Sequence, residues 1–337
     1  MKLSELYWHR ITPLHLLLWP LSIVYGGYLT LKKLCYWLDI VPSVKLPVPV
    51  IVIDSISVDD GGKTPFLISL VNCLLKNGYR PGIITRGNYD NPGSPVAVTP
   101  ATSSNTVGGK ILLLAQHCRE TCPVWVGSDR VAVAKALLDS NPSCNIILCN
   151  DGMQFYRLER NLEIAVADFS GQSFGNALLL PAGPLRIPAR HLEKIDFIVT
   201  NGKQSNYIDT SKWVKTYKIL LVNETAYNVL NPEIRCPITD FKNKRLHIIT
   251  DEENARWFFD VIQKSGLTAQ LHTFPDNHQF IESDIQAADA EVILMPEEHA
   301  LQCRHFAKDT LWALSKEAWI SDELQAIILK KLSKTLT

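Results

Sequence analysis

Charge imbalance is the first thing this sequence lacks. Its 34 Lys and Arg residues are matched by 34 Asp and Glu, a formal net charge of +0 over 337 residues. Without a basic excess there is no electrostatic footprint for a polyanion, so nucleic acid is excluded as an expected partner. A metal-ligand framework is missing too. Of the eight cysteines, Cys118 and Cys122 stand close, but no second Cys or His pair follows at ligand spacing. Cys73, Cys144 and Cys149 fall in apolar runs, the setting of buried reduced thiols in a cytosolic protein rather than of disulfides. No repeat or low-complexity tract interrupts the chain, and 46% hydrophobic with 20% charged residues is ordinary globular composition.

Charge is also absent locally. From Ile11 to Leu31 there is no Asp, Glu, Lys or Arg, while Leu14, Leu16, Leu17, Leu18, Trp19, Leu21, Ile23 and Val24 dominate. The run is long enough for a membrane helix, although His15, Pro20 and Gly26-Gly27 weaken it as a span. No small-residue cleavage site precedes Lys32-Lys33, which argues against a signal peptide. Tyr7, Trp8, Tyr36 and Trp37 at its two ends suit interfacial anchoring.

Beyond this segment, short apolar strands alternate with helical stretches, the pattern of a parallel sheet with crossover helices. Strands are expected at Val48–Ile53, Gly82–Thr85, Val124–Val126, Asn145–Cys149, Glu163–Ala167 and Phe197–Thr200, and helices at Phe66–Lys76, Ile111–His117 and Asp129–Leu138. Gly87–Gly109 reads as a long surface loop. The expected fold is α/β: a P-loop-type parallel sheet, a second smaller α/β domain and an N-terminal membrane helix. Boundaries are placed at residues 1–40 for the anchor, 41–210 for the first domain, 211–240 for a linker and 241–337 for the second domain.

The P-loop reading rests on Val50–Ile53, an apolar strand, followed by Asp59-Asp60-Gly61-Gly62-Lys63-Thr64-Pro65 and a helix. In such a loop backbone N–H groups wrap a phosphate, the lysine reaches its outer oxygens and the threonine hydroxyl takes Mg²⁺. The full pattern asks for glycine at position 57, where Ser57 stands, and two aspartates sit inside the loop. Asp151, at the end of the apolar run Asn145–Cys149, has the placement of an acidic residue that holds Mg²⁺. Arg86, Arg130 and Arg186 lie past strands or in a Gly/Pro turn, where phosphate-binding arginines are found. His278 follows a strand at a position where ligands dock.

Taken together, Gly62-Lys63-Thr64-Pro65, Thr85-Arg86-Gly87, Val126-Gly127-Ser128-Asp129-Arg130, Asp151-Gly152-Met153-Gln154-Phe155-Tyr156-Arg157 and Leu180-Pro181-Ala182-Gly183-Pro184-Leu185-Arg186 resemble the tetraacyldisaccharide 4'-kinase family of lipid A synthesis. The resemblance runs from about residue 5 to about residue 330 and is dense from Gly62 to Gly202. It implies an ATP- and Mg²⁺-dependent kinase on the cytoplasmic face of a Gram-negative inner membrane. Its substrate would be a membrane-embedded lipid A precursor, a tetraacyldisaccharide 1-phosphate, phosphorylated on the 4'-hydroxyl. Carried over, Gly61, Gly62 and Lys63 cradle the nucleotide, Thr64 and Asp151 hold the metal, and Lys63, Asp151 and His278 are catalytic. Arg86, Arg130, Gln154 and Arg186 contact substrate. The oligomeric state stays open.

The departures from the family pattern cluster at its functional motifs. The loop's Gly-Gly-Thr-Gly-Lys-Thr is Asp59-Asp60-Gly61-Gly62-Lys63-Thr64 here, an Asp-Glu pair is Gly109-Lys110, and Asp-Asp-Gly is Asn150-Asp151-Gly152. Asp-His-His is Asp276-Asn277-His278, Gly-Ile-Gly-Asn-Pro is Asp251-Glu252-Glu253-Asn254-Ala255, and Thr-Glu-Lys-Asp-Ala-Val-Lys is Pro296–Gln302. Two readings follow: an active kinase with an altered site, or a catalytically weakened paralogue acting as a lipid-binding or regulatory protein.

Overall fold

The computed structural model of the chain describes residues 8, 11–58, 61–87, 94–99, 101–102, 104–118, 121–168, 174–201, 216–222, 225–276, 278–286 and 289–335. Asp59, Asp60 and Asn277 lie outside them. The chain forms two compact units, Met1–Val98 with Cys118–Leu221 and Ala318–Thr337, and Thr99–His117 with Val222–Glu317.

In chain order the described strands are β1 (Val50–Asp54), β2 (Pro81–Thr85), β3 (Val96–Val98), β4 (Val124–Val126), β5 (Ile146–Asn150), β6 (Leu162–Asp168), β7 (Phe197–Asn201) and β8 (Thr216–Val222). They continue with β9 (Thr225–Asn228), β10 (Arg235–Pro237), β11 (Leu246–Asp251), β12 (Ala269–Phe274), β13 (Val292–Pro296), β14 (Leu311–Leu314) and β15 (Glu317–Ile320). The longer helices are α1 (His15–Trp37), α2 (Lys63–Lys76), α3 (Gly109–Cys118), α4 (Arg130–Ser140), α5 (Glu252–Lys264) and α6 (Asp322–Thr335).

The first unit is built on a sheet of order β15-β8-β7-β6-β1-β5-β2-β4-β3. From β8 to β4 every neighbouring pair is parallel; β3 closes the far edge antiparallel to β4. Strands β1, β2 and β5 are buried along their whole length, as their unbroken apolar runs require of central parallel strands. Each buried Val or Ile there contributes roughly 1.5–3 kcal/mol relative to an exposed side chain. Parallel pairing puts the ends of β1 and β5 side by side, with Ile53 opposite Asn150.

The second unit has a mixed sheet of order β10-β9-β14-β13-β11-β12. Strands β14, β13, β11 and β12 run parallel and β9 pairs antiparallel to both β14 and β10. Helix α5 buries Phe258, Val261 and Ile262 in a core with Leu246, Ile248, Val292 and Leu294.

Several expectations change. The loop expected over Gly87–Gly109 contains β3, a helical turn at Ser104–Val107 and the start of α3. The stretch 211–240, expected as a linker, carries β8, β9 and β10, whose backbones pair into the two sheets. The C-terminal segment joins the first unit rather than the second. Ser69 Oγ donates to the Ala318 carbonyl, Lys331 pairs with Asp196, and β15 sits beside β8.

The expected N-terminal membrane helix is corrected as well. Helix α1 forms over the predicted segment, but no described helix is long and apolar enough to cross a membrane. Polar residues explain the difference. His15, Ser22 and Leu29, seven residues apart and so on one stripe of the helix, are buried. Ser22 Oγ donates to the Leu179 carbonyl (2.8 Å) and accepts from the Ala182 amide (3.0 Å), while Asn176 Nδ2 lies 3.0 Å from His15 Nε2. Much of the rest of the helix is open, with Leu16 79%, Leu17 73% and Val24 70% exposed.

Candidate active site

The site gathers at the C-terminal end of β1. Gly61 (φ 59°) and Gly62 (φ 89°) turn the chain through left-handed backbone, which glycine adopts without steric cost. A Cβ at Gly62 would also sit 3.3 Å from Leu221 Cδ1. Helix α2 starts at once with Lys63 and Thr64, both buried, and Pro65 is tolerated because first-turn amides have no intrahelical partner.

Asp151 follows β5 in left-handed backbone (φ 57°), which Asp accepts better than most residues, and its amide donates to the Ile53 carbonyl (3.0 Å). Lys63 Nζ donates to Asp151 Oδ1. Arg186 completes the group, with Nη1 3.5 Å from Asp151 Oδ1 and 3.6 Å from Asp54 Oδ1. It arrives because residues 184–187 run against the segment after β1: Arg186 N donates to the Ile56 carbonyl (2.7 Å) and Val58 N to the Pro184 carbonyl (3.0 Å).

Asp54 was not among the residues singled out from the sequence. It is 1% exposed, and its carboxylate accepts from the amides of Ser55 (2.8 Å) and Met153 (3.0 Å). The signal was available: an acidic residue ending a buried apolar strand directly ahead of the glycine loop, the same cue that picks out Asp151. Burial, and then the neighbouring Asp151 charge, push the Asp54 carboxyl up to about 6. Burial would also raise Asp151, but Lys63, by charge and hydrogen bond, and then Arg186 outweigh it and hold Asp151 well below the usual range. The two carboxylates thus divide: Asp151, nearest Lys63, keeps its charge and Asp54 takes a proton more readily.

Two sequence-predicted residues brace the site from behind. Arg130, buried at the start of α4, donates to the carbonyls of Gly127 (2.9 Å) and Asp151 (3.3 Å), and its Nε has no partner. Gln154 Nε2 donates to the Arg186 carbonyl (2.8 Å) and to Tyr25 Oη (3.2 Å), which itself donates to that carbonyl (3.0 Å). Arg86 is exposed past β2, near enough for its charge to oppose that of Arg130. Asn150 Nδ2 reaches Thr85 Oγ1 (3.3 Å), while its buried Oδ1 has no partner.

For a metal, the donors offered are the Thr64 hydroxyl and the Asp151 carboxylate. Among the described residues no cluster of three or more His, Cys, Asp or Glu could hold an ion. Few protein ligands, all hard oxygens, fit Mg²⁺, which keeps its waters and binds through one or two carboxylates plus substrate phosphates.

His278 belongs to the second unit. Its Nε2 lies 2.8 Å from Asp284 Oδ2 and its ring stacks on Phe274 at 4.7 Å between centroids. In the same unit the altered motifs meet one another. Lys110 Nζ donates to Glu253 Oε1 (2.7 Å), Asn254 Nδ2 to Glu298 Oε1 (3.0 Å), and His299 Nε2 lies 3.2 Å from Asp251 Oδ2. A Cβ at Gly109 would fall 2.8 Å from the Glu298 carbonyl oxygen.

Comparison with known proteins agrees with the architecture. One family model, described as tetraacyldisaccharide-1-P 4'-kinase, matches residues 14–333. A tetraacyldisaccharide 4'-kinase of Nitrosomonas eutropha is 42% identical over 332 residues, spanning 98% of this chain and 84% of the relative. One of Nitrosomonas europaea is 41% identical with the same coverage, and one of an Azoarcus species is 36% identical over 98% of this chain and 96% of the relative. The fold is similar to a crystal structure described as the apo form of LpxK from Aquifex aeolicus in complex with ATP. That match has a TM-score of 0.75 at 21% identity and covers 93% of this chain and 98% of that one.

Proposed function

This chain belongs to the tetraacyldisaccharide 4'-kinase family, and on that premise we propose that it transfers the γ-phosphate of ATP to the 4'-hydroxyl of a tetraacyldisaccharide 1-phosphate. The observation that carries the proposal is the convergence of Lys63, Asp151 and Arg186 behind the Gly61-Gly62 turn. Phosphoryl transfer needs positioning and charge stabilisation more than covalent help from the protein, and this group supplies both.

In this reading Lys63 exchanges Asp151 for the β- and γ-phosphates, and Gly61 and Gly62 let the loop backbone close on them. Thr64 and Asp151 hold Mg²⁺, which when bound with the nucleotide offsets the charge of the phosphate oxygens. Arg186 faces the transferred group, Arg86 lends positive charge nearby, and Arg130 and Gln154 act through the Asp151 and Arg186 backbones they hold. The Asp-Glu pair of the family pattern is absent, and Lys110 is engaged by Glu253. His278 is the residue we assign to the acceptor hydroxyl. With Asp284 accepting from Nε2–H, the Nδ1 atom is left as a proton acceptor.

The acyl chains keep the substrate in a bilayer. Helix α1, attached to the body by its polar stripe and exposing Leu16, Leu17 and Val24, suits a helix lying in the membrane surface. We place it on the cytoplasmic face of a Gram-negative inner membrane, where ATP is available.

The test is direct. Purified protein with ATP, Mg²⁺ and a tetraacyldisaccharide 1-phosphate in mixed micelles should yield the 1,4'-bisphosphate, and Lys63→Ala should yield none. Wild-type protein that binds ATP yet forms no bisphosphate would overturn the proposal.

A further inference from the structure

We infer that Asp54 is a positioning residue for this reaction, one that draws Arg186 off Asp151 and so leaves Asp151 free to serve a divalent cation. The inference rests on the kinase reading of the site.

Two charged side chains compete here for one carboxylate. Lys63 donates to Asp151 Oδ1, and Arg186 Nη1 stands 3.5 Å from that same oxygen. A carboxylate held by two cations is a poor metal ligand, since a third positive charge must displace one of them. Lys63 leaves when it turns to the nucleotide phosphates. Arg186 faces the transferred group but stands beside two carboxylates, and without Asp54 its charge would settle on Asp151.

Asp54 is the other partner. Its Oδ1 lies 3.6 Å from Arg186 Nη1, nearly the same separation as Asp151. What differs is freedom to move. Asp54 sits at the end of a fully buried strand and is fixed by two backbone amides, those of Ser55 and Met153. Arg186 keeps 31% of its side chain exposed and Asp151 keeps 30%. When the site rearranges, Asp54 stays and the guanidinium stays with it. Asp54 also fastens the Asp151 turn through the Met153 amide, so one side chain sets both the arginine and the loop that offers the metal ligand. The resemblance places its acidic pair at positions 150 and 151. Here position 150 is Asn, and a buried carboxylate stands on the neighbouring strand, one residue beyond Asn150's register partner Ile53.

The experiment uses the full chain, Mn²⁺ as the probe and a saturating non-hydrolysable ATP analogue, with free Mn²⁺ read by electron paramagnetic resonance. Asp54→Asn should weaken Mn²⁺ binding by about tenfold or more, the scale of one charged hydrogen bond. Arg186→Ala should bind within about threefold of wild type or tighter, and Asp54→Asn with Arg186→Ala should return to that range, since removing the competitor relieves the loss. A double variant as weak as Asp54→Asn would overturn the inference, making Asp54 a direct ligand or a merely structural residue. Unchanged binding in Asp54→Asn would overturn it too. So would weakened binding in Arg186→Ala, a test that stands even if the buried substitution fails to fold. Wild-type protein that binds no Mn²⁺ with nucleotide would overturn the kinase reading and this inference together.

Discussion

Glu163→Gln tests whether the turn carrying Asp151 is held from below by buried charge. Glu163 Oε1 accepts from Arg160 Nη1 (2.7 Å), and His191 Nε2 lies 3.4 Å from Oε2. Arg160 in turn donates to the carbonyls of Met153 (3.1 Å), Phe155 (2.8 Å) and Leu158 (3.3 Å), and so ties down the segment after Asp151. Burial opposes ionisation of Glu163, but the neighbouring His191 and the Arg160 charge outweigh it and bring the carboxyl from 4.5 down to about 2. The folded state therefore binds this proton less readily than the unfolded chain. Its stabilisation is complete above about pH 4.5 and is lost as pH falls towards 2. Integrated over those two values, the carboxylate contributes at most about 3 kcal/mol at pH 7, somewhat less at pH 4 and about 1 at pH 3. Urea titrations of wild type and Glu163→Gln at these three pH values measure the difference directly. A loss under about 0.5 kcal/mol at pH 7, the size of an ordinary surface change, would refute the argument. So would a loss that fails to shrink on acidification.

Asp59→Gly with Asp60→Gly should tighten ATP binding by about a hundredfold, since one carboxylate about 5 Å from a phosphate charge costs on the order of 3 kcal/mol at an effective dielectric near 20; calorimetry finding no gain would mean these charges do not face the nucleotide. Gly109→Asp, which puts the family's carboxylate back, should cost about 1–3 kcal/mol because the Cβ meets the Glu298 carbonyl at 2.8 Å; an unchanged melting temperature would show that the loop yields. Leu17→Glu with Val24→Glu should release the protein from phospholipid vesicles in co-sedimentation while leaving its melting temperature within a few degrees, because both side chains are exposed; retention on vesicles would remove α1 as the membrane contact.

Central strands were legible in the sequence because burial on both faces writes them as unbroken apolar runs. Val124–Val126 was placed to the residue, and the other central strands of the first sheet to within a residue or two. The short strands β9 and β10 were not: Thr225–Asn228 and Arg235–Pro237 carry polar residues and a proline, and their register comes from pairing with each other and with β14. The second-unit membership of Thr99–His117 was equally hidden, since nothing local distinguishes Ile111–His117 from a crossover helix of the first sheet. At the site, the glycine turn, Lys63 and Asp151 could be read because their chemistry is local to a strand end. Tyr25 could not be. Its role depends on the Arg186 carbonyl, 161 residues away in the chain.

The altered motifs look like unrelated losses when read along the chain, and the fold changes that view. Position 110 meets position 253, position 254 meets 298, and position 251 meets 299, each through a hydrogen bond or ion pair that the family's own residue types at those positions would not make in the same way. Gly109 is required where it stands, because a larger residue would strike the Glu298 backbone. Here Asp251 and Glu297 are both buried, and both are held below their ordinary values because the hydrogen bonds and charges of His299 and Asn254, and of His117 and Tyr227, outweigh burial. These contacts couple the altered motifs of the second unit to one another. It follows that a single reversion among the paired positions of the second unit, such as Gly109→Asp, should destabilise this protein unless its partner is changed with it.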